Sequence, residues 1–231
     1  MKFTCALLLA AVAAAPASAE TVYNAMAPGA PNSFVLNFSH DRGETSSTDE
    51  RPGGLEHESQ YGQHITLAGT SRFVTQIDMQ LGGFGSQPLE SVSLAMTLRI
   101  YGLTSGLPGS LLWEGTTGIQ TLNVATLGAV VPVSFFPNVQ LPDDVILAVS
   151  HTQISGQQIS TVGTTGQNVP GDVGVDFPHW FSQDTSTGVW TVDQGPTLPD
   201  HLQARITAIP APASSILGIG LLGAGLRRRR V

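Results

Sequence analysis

Three segments of this chain alternate apolar and polar side chains with a period of two residues. The apolar sets are Phe73, Thr75, Ile77, Met79 and Leu81; Val92, Leu94, Met96, Leu98 and Ile100; and Leu202, Ala204, Ile206 and Ala208. A period of two places one face of a β-strand against a core and the other toward water. The three segments therefore predict antiparallel strands, with Asp78 and Tyr101 on solvent-facing sides.

The remaining pattern extends the all-β prediction. Val145–Val149 is continuously apolar, as in a strand covered on both faces. Turn-forming residues separate these segments at Gly82-Gly83, Leu107–Ser110, Leu141–Asp144 and Pro170–Asp172. Ser39–Ser59 and Ser155–Gly171 are predicted loops by composition, the second with a weak strand at Gln158–Val162. Many short strands without helical periodicity predict an all-β fold, an antiparallel β-sandwich of jelly-roll type.

The N-terminus has the pattern of a secretory signal peptide. Lys2 precedes an apolar run from Phe3 to Ala15, and Ala17-Ser18-Ala19 is a small-residue cleavage site. Signal peptidase is the expected partner, cutting after Ala19. The single cysteine of the chain, Cys5, lies in this segment, so the mature chain is expected to contain no disulfide and no cysteine nucleophile.

The C-terminus combines a proline pair, an apolar segment and a basic cluster. Pro210, Ala211 and Pro212 precede the apolar run Ile216–Leu226, and the cluster consists of Arg227, Arg228, Arg229 and Arg230. As a helix the run covers about 17 Å, short of the ~30 Å hydrocarbon core unless flanking residues enter the interface. The arginines are expected to stay cytoplasmic, leaving the chain before Pro210 outside.

This three-part tail resembles the sorting segment of PEP-CTERM proteins, which an exosortase processes. The family motif usually carries Glu where this chain has Ala211. The resemblance implies an exported protein at the cell surface or in the extracellular matrix of a Gram-negative host, inserted in the inner membrane by its tail before processing. It divides the chain into residues 1–19, a β-sandwich ectodomain over 20–208, and a sorting or anchor segment over 209–231. An unprocessed membrane anchor is the alternative.

A looser resemblance concerns the body of the chain. Ile65–Gly69, Leu98–Tyr101, Leu107–Ser110 and Leu111–Trp113 are similar to segments of β-sandwich ectodomains that often carry such tails. This similarity implies the fold and the exported context, and it implies no ligand.

The charge of the body narrows the expected partners. All 17 acidic residues lie between the two terminal signals, against five arginines and no lysine, which gives a net charge of −12. A surface this acidic repels nucleic acid and anionic lipid. We therefore expect no nucleic-acid partner.

Two groups of residues are candidate sites. Glu56, His57 and Glu58 with His64 offer ligands for Ca²⁺ or Zn²⁺, although neither the EF-hand spacing nor a close histidine pair is present and the pattern favours a solvated acidic loop. Trp180 and Trp190, with His179, fall within one predicted hairpin and offer aromatic faces for sugar rings, unless both tryptophans belong to the core. We expect no cofactor, with Ca²⁺ as the ion to test.

No segment carries a catalytic motif such as a nucleophile elbow or a His-Glu-x-x-His helix. The leading hypothesis is a non-enzymatic exported β-sandwich with a structural or interaction role in the exopolysaccharide matrix. A carbohydrate-binding module using exposed aromatics is the alternative, followed by a glycan-active enzyme with two carboxylates across a cleft.

Overall fold

The computed structural model describes residues 18–26, 34–36, 60–83, 91–122, 129–155, 162–167, 170–184, 187–193 and 201–211. The predictions on Ala17, on Glu56, His57 and Glu58, on Pro212 and on Arg227–Arg230 lie outside these ranges. Every regular element within them is a β-strand. In the same ranges, no helix has the length and apolarity needed to cross a membrane.

The strands form two antiparallel sheets. The eight-stranded sheet contains β1 (Glu20–Asn24), β2 (Phe34–Leu36), β4 (Phe73–Gly83), β8 (Ala129–Phe135), β9 (Val139–Gln140), β11 (Val162–Gln167), β14 (His201–Leu202) and β15 (Ala204–Ile209). The seven-stranded sheet contains β3 (Gln60–Thr66), β5 (Val92–Thr104), β6 (Leu107–Thr116), β7 (Gln120–Leu122), β10 (Asp144–Ser155), β12 (Val175–Asp184) and β13 (Val189–Asp193). The predicted all-β class is therefore confirmed.

Strand order places the chain ends and the hairpin at defined positions. The eight-stranded sheet runs β1-β15-β4-β11-β14, with β8 and β9 also paired to β4 and β2 paired to β11. The seven-stranded sheet runs β13-β12-β3-β10-β5-β6, with β7 also paired to β5. The predicted hairpin carrying both tryptophans is confirmed as β12–β13.

The main core lies between the two sheets. Its fully buried side chains include Ile77 and Ile206 from one sheet and Leu98, Ile100 and Leu147 from the other. The apolar face predicted for β5 and for residues 202–208 is confirmed, because Leu94, Met96, Leu98, Ile100, Leu202, Ala204, Ile206 and Ala208 are all buried. Gln203 between β14 and β15 is also buried, contrary to the predicted solvent-facing side of this segment. Two antiparallel sheets around a shared core are compatible with a β-sandwich.

The seven-stranded sheet buries side chains on its other face as well. Tyr101, Ile146, Ala148 and Phe181 form a second cluster there, against which Leu103 and Trp190 pack. The edge strands β6 and β13 also approach each other, so this sheet curls toward its outer side. Val145–Val149 is thus covered on both faces as predicted, whereas the prediction that Tyr101 faces solvent is wrong.

A bulge in β4 makes the predicted alternation wrong at the start of this strand. Gln76 pairs with Thr207 and Val74 pairs with Ala208, so Thr75 is an extra residue on β4. An inserted residue reverses which side chains face the core on its far side. Val74 is consequently buried, and Phe73 and Thr75 are only partly buried, contrary to the prediction.

Three predicted turns and loops also differ. The turn between β5 and β6 is formed by Ser105 and Gly106, both with positive φ, and Leu107–Ser110 belongs to β6. Two consecutive positive φ angles match the tight hairpin turn that suits strand twist. Gly82 and Gly83 lie within β4, and residues 162–167 form β11 instead of loop.

Candidate functional site

A large bulge in β12 brings together residues from both predicted sites. Asp176 pairs with Ile65 and Trp180 pairs with Gln63, so residues 177–179 lie opposite the single residue His64. Phe177 within the bulge is 36% exposed. The bulge therefore displaces the backbone of β12 and presents Phe177 on the outer side of the sheet.

The Phe177 ring is stacked on the imidazole of His64. The two ring centroids are 4.1 Å apart and the ring planes differ by 8°. His64 Nε2 lies 3.1 Å from Asp144 Oδ1, which fixes the imidazole from the side. The position of the aromatic ring is thus tied to the first residue of β10.

Asp144 is held by a second hydrogen bond. Thr66 Oγ1 donates to Asp144 Oδ1 at 2.5 Å. This hydrogen bond is the largest of the effects that together hold the pKa of the Asp144 carboxyl below its usual range. Burial is the next largest effect and opposes it, while the hydrogen bond and charge of His64 lower the pKa further. The side chain is still 46% exposed, so an ionised carboxylate faces solvent beside the stacked rings.

Beneath the bulge lies a buried polar cluster between the two sheets. The hydroxyl of Tyr23 donates to Asp176 Oδ2 at 3.1 Å, and His201 Nδ1 lies 2.6 Å from the same oxygen. All three side chains are buried. Burial, and then the charge and hydrogen bond of Asp176, raise the pKa of Tyr23, so its hydroxyl remains a donor.

Gln63 connects the bulge to Leu202, the residue that follows His201 in the chain. Its amide nitrogen donates to the carbonyl of Phe177 at 3.2 Å, and its amide oxygen accepts from the backbone N–H of Leu202 at 2.8 Å. Because Gln63 and Leu202 belong to different sheets, one buried side chain links the bulge to the opposite sheet.

The predicted aromatic site is only partly assembled. Trp180 is 7% exposed and its side chain belongs to the main core, which leaves no open ring face for a sugar. Trp190 is half-buried on the outer face and meets Tyr101 edge-on, with ring centroids 5.3 Å apart. The backbone of His179 lies in the bulge.

Of the predicted metal ligands, the structure describes His64 alone. His64 contacts Phe177 and Asp144, while Glu56, His57 and Glu58 lie outside the described ranges. Over the part of the chain that the structure describes, no three or more His, Cys, Asp or Glu side chains are grouped as metal ligands.

Sequence reasoning missed Asp144 and the buried cluster. The sequence pattern places Asp144 in a predicted turn, although it begins β10, and Tyr23 and His201 belong to no motif. The aromatic run beginning at Phe177 was the one available signal. The contact partners lie far apart along the chain, and only strand pairing brings them together.

The resulting surface combines an aromatic face, an adjacent carboxylate and a rigid support. Asp176 is enclosed between the sheets, so its carboxyl group does not reach solvent as a second acid beside Asp144. Comparisons with protein-family models, curated proteins and solved structures found no match.

Proposed function

We propose that this chain is the precursor of an exported surface or matrix protein, sorted by a PEP-CTERM-like C-terminal segment and acting without catalysis. Signal peptidase and an exosortase-type enzyme would be its processing partners. Its role would be structural or interactive, within exopolysaccharide at the cell envelope or outside the cell.

The position of the folded region between the two expected cleavage sites carries this proposal. β1 begins at Glu20, directly after the expected cleavage at Ala19, and β15 ends at Ile209, directly before Pro210. The two strands pair with each other, with Glu20 opposite Ala208. Removal of both terminal segments would therefore leave every paired residue of β1 and β15 in place.

The residues flanking these strands are accessible to processing enzymes. Ser18 and Ala19 are exposed before β1, and Pro210 and Ala211 are exposed after β15. Proteases require an extended and accessible backbone, and exposed residues outside a sheet provide it. Both expected cleavage regions have this property in the residues described.

We further propose a jelly-roll-type sandwich for the ectodomain. The chain passes between the sheets repeatedly, from β3 to β4, from β4 to β5, from β9 to β10 and from β10 to β11. Jelly rolls consist of two antiparallel sheets joined by such crossings.

The test is the intact mass of the protein recovered from the envelope and the medium of its host. We expect a species that starts at Glu20 and ends between Pro210 and Ser215. A species that retains Arg227–Arg230 would leave a plain membrane anchor and remove the sorting proposal. A species that retains its first 19 residues would contradict the proposal that the protein is exported.

Two variants sharpen the same measurement. Replacing Arg227–Arg230 with glutamine should abolish C-terminal processing while cleavage after Ala19 continues. Ala211→Glu restores the usual residue of the resembled motif and should raise the processed fraction. Equal processing of all three chains would contradict recognition of this tail.

A further inference from the structure

We propose that Phe177, His64 and Asp144 form a binding subsite for a neutral polysaccharide. This inference rests on the proposed function for the place where the ligand is met, outside the cell. It replaces Trp180 as the aromatic anchor with Phe177, because Trp180 is enclosed in the core.

The first step is the aromatic platform. One face of the Phe177 ring is covered by His64 in a parallel stack, and the residue remains 36% exposed. A planar apolar face fixed in this way matches the C–H face of a pyranose ring. Val175, on the same strand two residues earlier, is 54% exposed and extends the apolar surface.

The second step is the polar group beside the platform. Thr66 and His64 both bond to Asp144 Oδ1, so Oδ2 takes no part in either contact. The carboxylate is 46% exposed and lies beside the imidazole that carries the Phe177 ring. A fixed carboxylate accepts hydrogen bonds from hydroxyl groups, which a sugar supplies around its ring.

The third step is the rigidity of the support. Gln63 holds the carbonyl of Phe177 from below and joins it to Leu202 of the opposite sheet. Asp144, which accepts a hydrogen bond from Thr66, holds His64 laterally. A site ordered before binding avoids part of the entropy cost of fixing side chains around a ligand.

Charge determines the class of polysaccharide. The body carries a net charge of −12, and Asp144 itself lies at the site. Uronate-rich or phosphorylated polymers would meet like charge both locally and at long range. An uncharged chain bears no such penalty, so the surface favours a neutral glycan.

The experiment uses the full chain, purified in mild detergent, on a printed array of neutral and anionic glycans. Any neutral polysaccharide that retains the protein is then used in affinity electrophoresis, with alginate as the anionic comparison. We expect binding to neutral glycans, no binding to alginate, and a loss of affinity of about tenfold or more in Phe177→Ala. Asp144→Asn should also weaken binding.

Phe136→Ala provides the matched control. Phe136 is 63% exposed between β8 and β9, so its removal deletes an exposed phenyl ring from elsewhere on the surface. We expect its affinity to equal that of the wild type. Phe177→Trp, which keeps an aromatic face, should retain binding.

Three results would overturn the inference: no retention on any neutral glycan, equal effects of Phe177→Ala and Phe136→Ala, or preferential binding of alginate. Sedimentation velocity on the same samples tests a second copy of the chain as the occupant. A shift from dimer to monomer in Phe177→Ala without glycan binding would assign the surface to self-association. Glycan binding by the purified chain does not depend on whether the chain is processed in its host. The binding result is therefore separate from the mass measurement that tests export.

Discussion

At the scale of single residues, His151 shows how burial changes the chemistry of a side chain. It lies on β10, and its Nε2 is 2.9 Å from the hydroxyl of Thr164 on β11 in the other sheet. Burial lowers the pKa of His151 to about 4. The neutral imidazole is therefore the form that suits the folded protein.

This lowered pKa predicts a specific loss of stability in mild acid. An unfolded histidine binds a proton near pH 6.5, whereas folded His151 does so only near pH 4, so stability falls as the pH drops through this window. For a fully buried histidine, a pKa shift of this size corresponds to a loss of roughly 3 kcal/mol in the free energy of unfolding. Because His151 is partly exposed, we expect a loss of about 2 kcal/mol.

Urea unfolding of the wild type and His151→Gln between pH 3.5 and 7.5 measures this effect. As the pH falls through this window, the unfolding free energy of the wild type should decrease relative to that of His151→Gln. The difference between the two proteins should level off below about pH 4. Other histidines and carboxylates cancel in that difference. A constant difference across the whole range would show that His151 is not the group responsible.

Asp78 illustrates what residue type alone does not reveal. The alternation of β4 predicts that Asp78 faces solvent, and this prediction is wrong, because the residue is only 8% exposed. Burial raises its pKa, but hydrogen bonds from Ser134, Gln76 and Arg205 and the charge of Arg205 outweigh that effect and lower it overall. The polarity of a side chain predicts the face of the strand on which it lies. The residues that it contacts on neighbouring strands determine how much of it is exposed to solvent.

At the scale of elements, period-two alternation predicted strands well wherever their pairing is regular. It failed at Thr75, where an extra residue interrupts the pattern of β4, and it gave no sign of the Ser105–Gly106 turn or of the bulge at residues 177–179. A bulge depends on the register with a neighbouring strand, which lies far away in sequence. The candidate site depends on such a bulge, and for that reason its composition could not be predicted.

The bulge itself should depend on Gln63. Gln63→Leu deletes the hydrogen bonds that the Gln63 side chain makes to the carbonyl of Phe177 and to the buried N–H of Leu202. An unsatisfied buried backbone group costs about 1–3 kcal/mol, so we expect a destabilisation of about 2 kcal/mol or more. Urea unfolding followed by tryptophan fluorescence measures it.

Gln140→Leu is the control for this variant. Gln140 lies exposed on β9, where the same substitution should change stability by no more than about 0.5 kcal/mol. If Gln63→Leu is as stable as Gln140→Leu, the side chain of Gln63 does not support the bulge.

At the scale of the whole molecule, the first and last described strands are neighbours. β1 pairs with β15, and β15 pairs in turn with β4 near the centre of its sheet. The two chain segments expected to be removed in processing therefore emerge at the same edge of the eight-stranded sheet. Because β15 lies between β1 and β4, this sheet is completed only after nearly the whole described chain has been synthesised.

The pairing of β1 with β15 predicts that a disulfide can join the two ends of the domain. Thr21 lies directly opposite Thr207, and residues so placed have Cβ atoms about 4.5–5.5 Å apart, close to disulfide geometry. In a chain carrying Cys5→Ser, the pair Thr21→Cys and Thr207→Cys should oxidise readily and close a loop of about 190 residues. Chain entropy predicts a stabilisation of up to about 5 kcal/mol, less any strain, seen as a higher Tm that returns to the wild-type value on reduction.

The control pairs Thr21→Cys with Thr191→Cys on β13 of the other sheet, and it should remain reduced under the same conditions. Failure of the first pair to oxidise, or equal oxidation of both pairs, would contradict the register that joins the two ends.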